Sequence, residues 1–173
     1  VEKLEGTVAG VGVQSERSVF TSETGRIAPV ICYESIFGEY FTGYIRKGGQ
    51  AAFIMTNDGW WDHTPGHRQH LYFASLRAIE TRRSIARSAN TGISAFINQY
   101  GDISQATDYG VGAAIKSELL LNDAITFYVR WGDILARLAL FATALLLLNT
   151  LSRGIIRRSE LKSEKTPSSP ESN

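Results

Sequence analysis

The stretch Ile134 to Ser152, "ILARLALFATALLLLNTLS", carries a single charge, Arg137, near its start. About 19 residues at roughly 1.5 Å rise per residue come close to the hydrocarbon thickness of a bilayer. Such a run divides the chain into parts that answer to different solvents. A transmembrane helix is one reading of it. A buried carboxyl-terminal core helix is the other, favoured because the uninterrupted apolar part is only Leu138 to Leu148. The flanks favour the span: Trp131 stands where an interfacial aromatic would, Arg137 can snorkel, and Arg153, Arg157 and Arg158 follow directly. The positive-inside tendency then places the carboxyl-terminal end in the cytoplasm and the preceding domain on the outer side of the membrane. The tail "KSEKTPSSPESN" is polar and Pro/Ser-rich, a disordered composition. The expected organisation is a domain over residues 1–132, a transmembrane helix over 133–153 and a polar cytoplasmic tail over 154–173.

Before the apolar run the chain reads as α/β. "IAPVIC" is a short apolar strand ending at Cys32, and Ile36, Phe37, Tyr40, Phe41, Tyr44 and Ile45 then recur on one face of an amphipathic helix that "RKGG" stops. "AAFIMTND" repeats the strand, and the loop "GWWDHTPGH" leads into a helix expected from about His67 to Ser88, with Gly92 as a left-handed stop. Its arginines, Arg68, Arg77, Arg82, Arg83 and Arg87, are expected on solvated faces. "ISAFINQYGDI" reads as strand, turn and strand, and the segment through "TFYVRWGD" leans to β. "TVAGVGV" is a weaker strand candidate, and "SERSVFTSETG" an exposed hairpin or loop. Continuous apolar strands alternating with helices imply parallel core strands covered on both faces. With 18 Lys+Arg against 17 Asp+Glu and a net charge of +1, the chain has no electrostatic footprint for nucleic acid.

Cys32 is the one cysteine of the 173 residues, so it forms no internal disulfide. With three histidines and no second cysteine, the composition argues against zinc. His67 and His70 share a helical face, yet no carboxylate stands in register with them, and neither a metal nor a cofactor is expected. Two readings of Cys32 remain: a buried small hydrophobe, or a reactive thiol. At a strand-to-helix elbow, helix N–H groups stabilise a thiolate and can cradle the oxyanion formed when it attacks a carbonyl. Glu34 either supports such a nucleophile or merely complements the helix dipole. Glu39 and the Asn57–Asp58 pair at the next strand end supply further polar company. Of the adjacent Trp60 and Trp61, one is expected to line a pocket or meet lipid.

Taken together, "PVICYESIFGEY", "AAFIMTNDGWW", "HLYFASLRAIETRRSIARSANTGISAFINQYGDI" and "TFYVRWGD" before a hydrophobic helix resemble the carboxyl-terminal part of the apolipoprotein N-acyltransferases, a membrane-bound branch of the nitrilase superfamily. The resemblance covers about residues 1–152. It implies the carboxyl-terminal part of a nitrilase-like α-β-β-α sandwich followed by one transmembrane helix, in the inner membrane with the catalytic domain on the periplasmic side. Carried over residue by residue, Cys32 is the nucleophile of a Glu-Lys-Cys triad, the Tyr33 backbone N–H an oxyanion donor and Glu34 a supporting carboxylate. The triad's Glu and Lys lie upstream in the family, the Lys in a segment like "K-x-x-L-V-P-F-G-E", and neither Glu2, Lys3 nor Glu5 stands in one. The chain is therefore expected to be a carboxyl-terminal fragment, inactive alone.

The implied reaction moves an acyl chain from a phospholipid donor, through a Cys32 thioester, to the terminal amine of a diacylglyceryl-cysteine apolipoprotein. Two other readings compete. One is a soluble nitrilase-type amidohydrolase in which water takes the acyl group, and the other a noncatalytic membrane-anchored domain with Cys32 as inert packing.

Overall fold

The computed structural model describes residues 14–164, so "TVAGVGV" lies outside the described residues. Two compact units divide the chain, Val1–Gly132 and Asp133–Asn173.

In the first unit, six strands run β1 (Phe20–Ser22), β2 (Gly25–Ile31), β3 (Ala51–Thr56), β4 (Ile85–Ala89), β5 (Ala95–Ile97) and β6 (Ile103–Ser104). Their order across the sheet is their order in the sequence. β2, β3 and β4 are parallel, with Ile31 beside Met55 and Thr56 beside Ala89, and the outer pairs are antiparallel. The parallel connections need crossovers, supplied by α1 (Gly38–Arg46) and α2 (Gly66–Thr81). "SERSVFTSETG" ends in the β1–β2 hairpin, as its turn residues imply.

One face of the sheet is sealed. Ala28, Val30, Ala52, Ile54, Ile85, Ala95 and Ile97 pack with Phe41, Tyr44 and Ile45 of α1 and Leu71, Ala74 and Ala78 of α2 into one buried cluster. Phe41, Tyr44 and Ile45 fall on the face that the apolar spacing assigned to α1. The opposite face differs from expectation. Phe53 and Met55, each 45% exposed, line with Phe20, Pro29 and Phe96 an apolar groove of about 400 Å³. The apolar alternates of β2 and β3 thus reflect two faces of unlike cover among the described residues, not burial on both.

The second helix is shorter than its periodicity implied. It ends at Thr81, where Arg82 takes a left-handed φ of 52°, and residues 85–89 form β4. Arg83 holds this stop: its guanidinium is buried, is anchored on the Gly49 carbonyl outside the helix, and donates to the carbonyls of Thr81 and Arg82, two acceptors that a continuing helix would use. Burial pulls the Arg83 pKa below its ordinary value, with Asp123 opposing. Arg77 and Arg87 are buried as well, so the solvated arginine face is confined to Arg68 and Arg82. Gly92 is not the stop; its place is described below.

"TFYV" also departs from the β-leaning reading. It opens α3 (Phe127–Trp131), because the Thr126 hydroxyl caps the helix by accepting from Val129 N while donating to Glu80 O.

The second unit contains α4 (Ile134–Glu164), within which Ile134–Gly154 is long and apolar enough to cross a membrane and is not buried at all. The helix runs beyond the apolar stretch to Glu164, past the expected start of an irregular tail at 154; residues 165–173 lie outside the described residues.

Candidate active site

β2 ends at Ile31, and the next residue turns the chain. Cys32 has φ 48°, the left-handed region that non-glycine residues avoid at a cost of about 1–2 kcal/mol. It opens a four-residue 3-10 turn, Cys32–Ser35, with Ile36 N donating to Tyr33 O at 2.9 Å. The thiol is free and partly accessible. The elbow is thus where the sequence placed it, but α1 begins only at Gly38, so the N–H groups nearest the thiol belong to the 3-10 turn and not to a long helix dipole.

Glu34 folds back beneath this turn. Its Oε2 accepts from Ile31 N at 2.8 Å and from the Tyr44 hydroxyl at 3.1 Å, and Oε1 accepts from the Tyr40 hydroxyl at 2.7 Å. Burial, together with the Tyr40 hydrogen bond and the Glu34 charge, raises the Tyr44 pKa, which keeps that phenol a donor. Glu34 therefore closes the residue before Cys32 onto the residue after the turn's midpoint. Glu39 occupies the first turn of α1, on its exposed side.

A second polar group approaches from the other flank. Asp58, two residues past β3, is fully buried. Its Oδ1 accepts from the Thr56 hydroxyl at 3.0 Å and lies 2.9 Å from His70 Nδ1, while Oδ2 accepts from Arg87 Nη2 at 2.6 Å. Burial alone would raise the Asp58 pKa, but the hydrogen bonds and charges of His70 and Arg87 outweigh it and hold the carboxyl at about 2. His70 Nε2 lies 3.2 Å from Ser35 Oγ and 3.4 Å from Cys32 O, and Ser35 Oγ donates to Cys32 O at 2.7 Å. The imidazole also stacks on the Tyr33 ring, with centroids 5.7 Å apart and planes 22° apart. Arg77 adds a donor from α2 to Ile36 O at 2.9 Å. Gly92 is needed here: a Cβ would stand 2.3 Å from Asp58 Oδ2, so only glycine lets the β4–β5 loop pass the carboxylate.

The structure brings Cys32, Tyr33 and Glu34 into one turn and joins Asp58 to it through His70. Asn57 stays outside, closing a local turn onto Gly59 N. Sequence reasoning missed His70 and Arg87. The absence of a carboxylate in helical register misdirected the first, since its partner is on a neighbouring strand end; the second was assigned to solvent. His63 and His67 instead pack against Tyr109, at ring distances of 5.4 and 4.4 Å. Of the two tryptophans, Trp61 lies 6.3 Å from the Tyr33 ring and Trp60 is 85% exposed. The apolar groove lies on the sheet face opposite the core cluster and has no Cys32 in its lining.

The family described as carbon-nitrogen hydrolase matches residues 2–119. The chain is 34% identical over 148 residues to an apolipoprotein N-acyltransferase of Chlorobaculum tepidum, covering 81% of this chain and 28% of that protein. It is 43% identical over 131 residues to an apolipoprotein N-acyltransferase of Agrobacterium fabrum, covering 73% and 24%. The chain thus spans about a quarter of the length of these curated relatives. Among solved structures, a carbon-nitrogen hydrolase from Helicobacter pylori G27 superposes with a TM-score of 0.52 at 10% identity, over 64% of this chain and 44% of that one. An amidase mutant from Nesterenkonia sp. AN1, in complex with butyramide, superposes with a TM-score of 0.51 at 18% identity, over 75% and 48%. These two likenesses establish the nitrilase-type fold.

Proposed function

The chain belongs to the carbon-nitrogen hydrolase family, and on that premise we propose that it forms the nucleophile-bearing part of an apolipoprotein N-acyltransferase. The observation that carries this reading is the Cys32 elbow: a partly accessible thiol in a left-handed turn at the carboxyl end of a central parallel strand. Ligand sites of open α/β sheets collect at such ends. The identity to apolipoprotein N-acyltransferases selects the branch.

In the first half-reaction the Cys32 thiol loses its proton to a base, and Sγ attacks the ester carbonyl of a phospholipid. The Tyr33 backbone N–H faces the oxyanion as it forms. Collapse breaks the ester C–O bond, leaves a Cys32 thioester, and releases a lysophospholipid whose new hydroxyl takes up the proton. In the second half, the free amine of a diacylglyceryl-cysteine apolipoprotein attacks the thioester, forms an amide and returns the thiol. Glu34 supports the turn through Ile31 N, Tyr40 and Tyr44.

The exposed apolar stretch Ile134–Gly154 supports a membrane location, with the domain on the periplasmic side of the inner membrane and residues 154–173 as a cytoplasmic tail. Both substrates carry acyl chains, and a thiol held near the bilayer shortens their path to it.

The test is Cys32→Ala and Cys32→Ser in the full-length protein. Both are expected to abolish acyl transfer at an unchanged melting temperature, because a hydroxyl is far less acidic than a thiol. Transfer at the normal rate in either variant overturns the assignment. Recovery of the protein in the soluble fraction after a carbonate wash, with hydrolysis of simple amides, would favour the amidohydrolase. A cysteine introduced at Ser169 in the Cys32→Ala background should label with an impermeant reagent only after permeabilisation.

A further inference from the structure

The buried Arg87–Asp58–His70 chain spans three elements, from β4 across the end of β3 to α2, and terminates on the backbone of Cys32. Catalysis by a cysteine elbow requires no such chain beneath it, and Glu34 already supports the other flank. The chemistry of each group fixes its role. An ionised, fully buried Asp58 only accepts, so the His70 nitrogen facing it, Nδ1, carries a proton and the ring is held in one orientation. Arg87 Nη2 and the Thr56 hydroxyl fill other acceptor positions of the carboxylate, so it cannot rotate without losing a partner. Nε2 is thereby aimed at Ser35 Oγ and Cys32 O, and the ring face is laid against Tyr33.

Resting on the reading of Cys32 as nucleophile, we infer that His70 is a positioning residue: with Ser35 it holds the inward-turned Cys32 carbonyl and, by stacking, the Tyr33 ring. Nucleophile and oxyanion donor are thus kept in one geometry from below, by a group that touches neither substrate. Left-handed φ at a non-glycine residue persists only where its surroundings over-determine it, and the carbonyl is the handle on which they act here. Arg77, donating to Ile36 O two turns further along α2, fixes the far end of the same segment.

Two variants separate positioning from bulk stability. His70→Leu keeps volume and removes both ring nitrogens; His70→Gln returns a hydrogen-bonding amide close to where Nε2 stands. In the 173-residue chain, amide hydrogen exchange at Ser35 and Ile36 is expected to quicken about tenfold in His70→Leu, the loss of about one hydrogen bond, while β3 amides keep their rates. In the full-length protein kcat for acyl transfer is expected to fall about a hundredfold with KM unchanged, the scale of a small misplacement of a reacting group. His70→Gln should recover most of both. Native exchange at the elbow together with native kcat in a folded His70→Leu protein overturns the inference, as does a Gln variant no better than Leu. If His70→Leu fails to fold, Ser35→Ala, which removes one hydroxyl from the same carbonyl, is read by the same two measurements. Should Cys32→Ala retain acyl transfer, the nucleophile reading falls, and the exchange rates still decide whether His70 holds the elbow.

Discussion

Two carboxylates flank the Cys32 elbow and hold it by opposite means. Glu34 accepts only from neutral donors, one backbone N–H and two phenols, all within ten residues along the chain. Asp58 accepts from an imidazole 12 residues away and a guanidinium 29 residues away, inside the protein. The first is a local clasp, formed by residues that the β2–α1 segment carries with it. The second ties that segment to the rest of the sheet. Hydrogen bonds from neutral donors to a carboxylate such as Glu34 contribute about 1.5–3 kcal/mol each, net of solvation, and keep about 1 kcal/mol each when the acceptor becomes neutral, whereas breaking one partner out of a buried ion pair costs about 3–5 kcal/mol. The two flanks should therefore respond differently to removal of a charge.

The largest expected effect is on the Asp58 side. Asp58→Ala leaves the buried Arg87 uncompensated and should lower unfolding stability by about 3–5 kcal/mol in urea denaturation. A double change, Asp58→Leu with Arg87→Met, removes both charges and should cost markedly less. Equal losses in the two proteins would mean that cavity and packing, not the stranded charge, dominate, and the contrast with Glu34 would collapse.

Acid titration sharpens the same contrast. The Asp58 carboxyl is held at about 2 in the folded protein, below the roughly 3.9 of an unfolded aspartate. Its contribution is thus complete above about pH 4 and is lost as pH falls through the folded value near 2. The melting temperature should drop across that window, and Asp58→Asn should flatten the drop while lowering the neutral plateau. An identical acid limb in both proteins would assign the acid transition to other carboxylates.

The smallest effect on stability is expected at Glu34. Glu34→Gln keeps shape, can still accept at one oxygen and can donate its amide N–H to a phenol oxygen, so the cost should be about 1–2 kcal/mol, while most acyl transfer is lost in the full-length protein. Thermal midpoint and turnover are read on one preparation. A large fall in midpoint with unchanged activity per folded molecule would make Glu34 structural and erase the distinction between the flanks.

What could be read in the sequence follows this division. Cys32, Tyr33 and Glu34 are consecutive, and an apolar run meeting a helical period marks their elbow without any knowledge of tertiary structure. β2, β3 and the buried face of α1 were legible for the same reason. His70 was not, because its partner Asp58 is twelve residues away on a strand end and no periodic rule links the two. β4 was hidden inside an apparent helix: Ile85 and Ala86 continue the helical spacing from Ile79, and only the burial of Arg83 against Gly49, Thr81 and Arg82 carbonyls breaks it. A lone arginine in sequence reads as solvated; three of them here are buried because carbonyls and carboxylates wait for them.

Among the described residues sheet order follows sequence order, so each strand after β1 joins an edge laid down by the strand synthesised before it. As the chain emerges in translation, Cys32 leaves first, Asp58 and His70 follow, and Arg87 comes last, 55 residues after the thiol by position in the chain. Glu34, Tyr40 and Tyr44 are close enough to shape the turn early, but the charge that steadies Asp58 arrives only with β4. During synthesis the thiol is therefore exposed before its final backbone conformation is secured, and docking of β4 both completes the parallel part of the sheet and fixes the backbone around the proposed nucleophile.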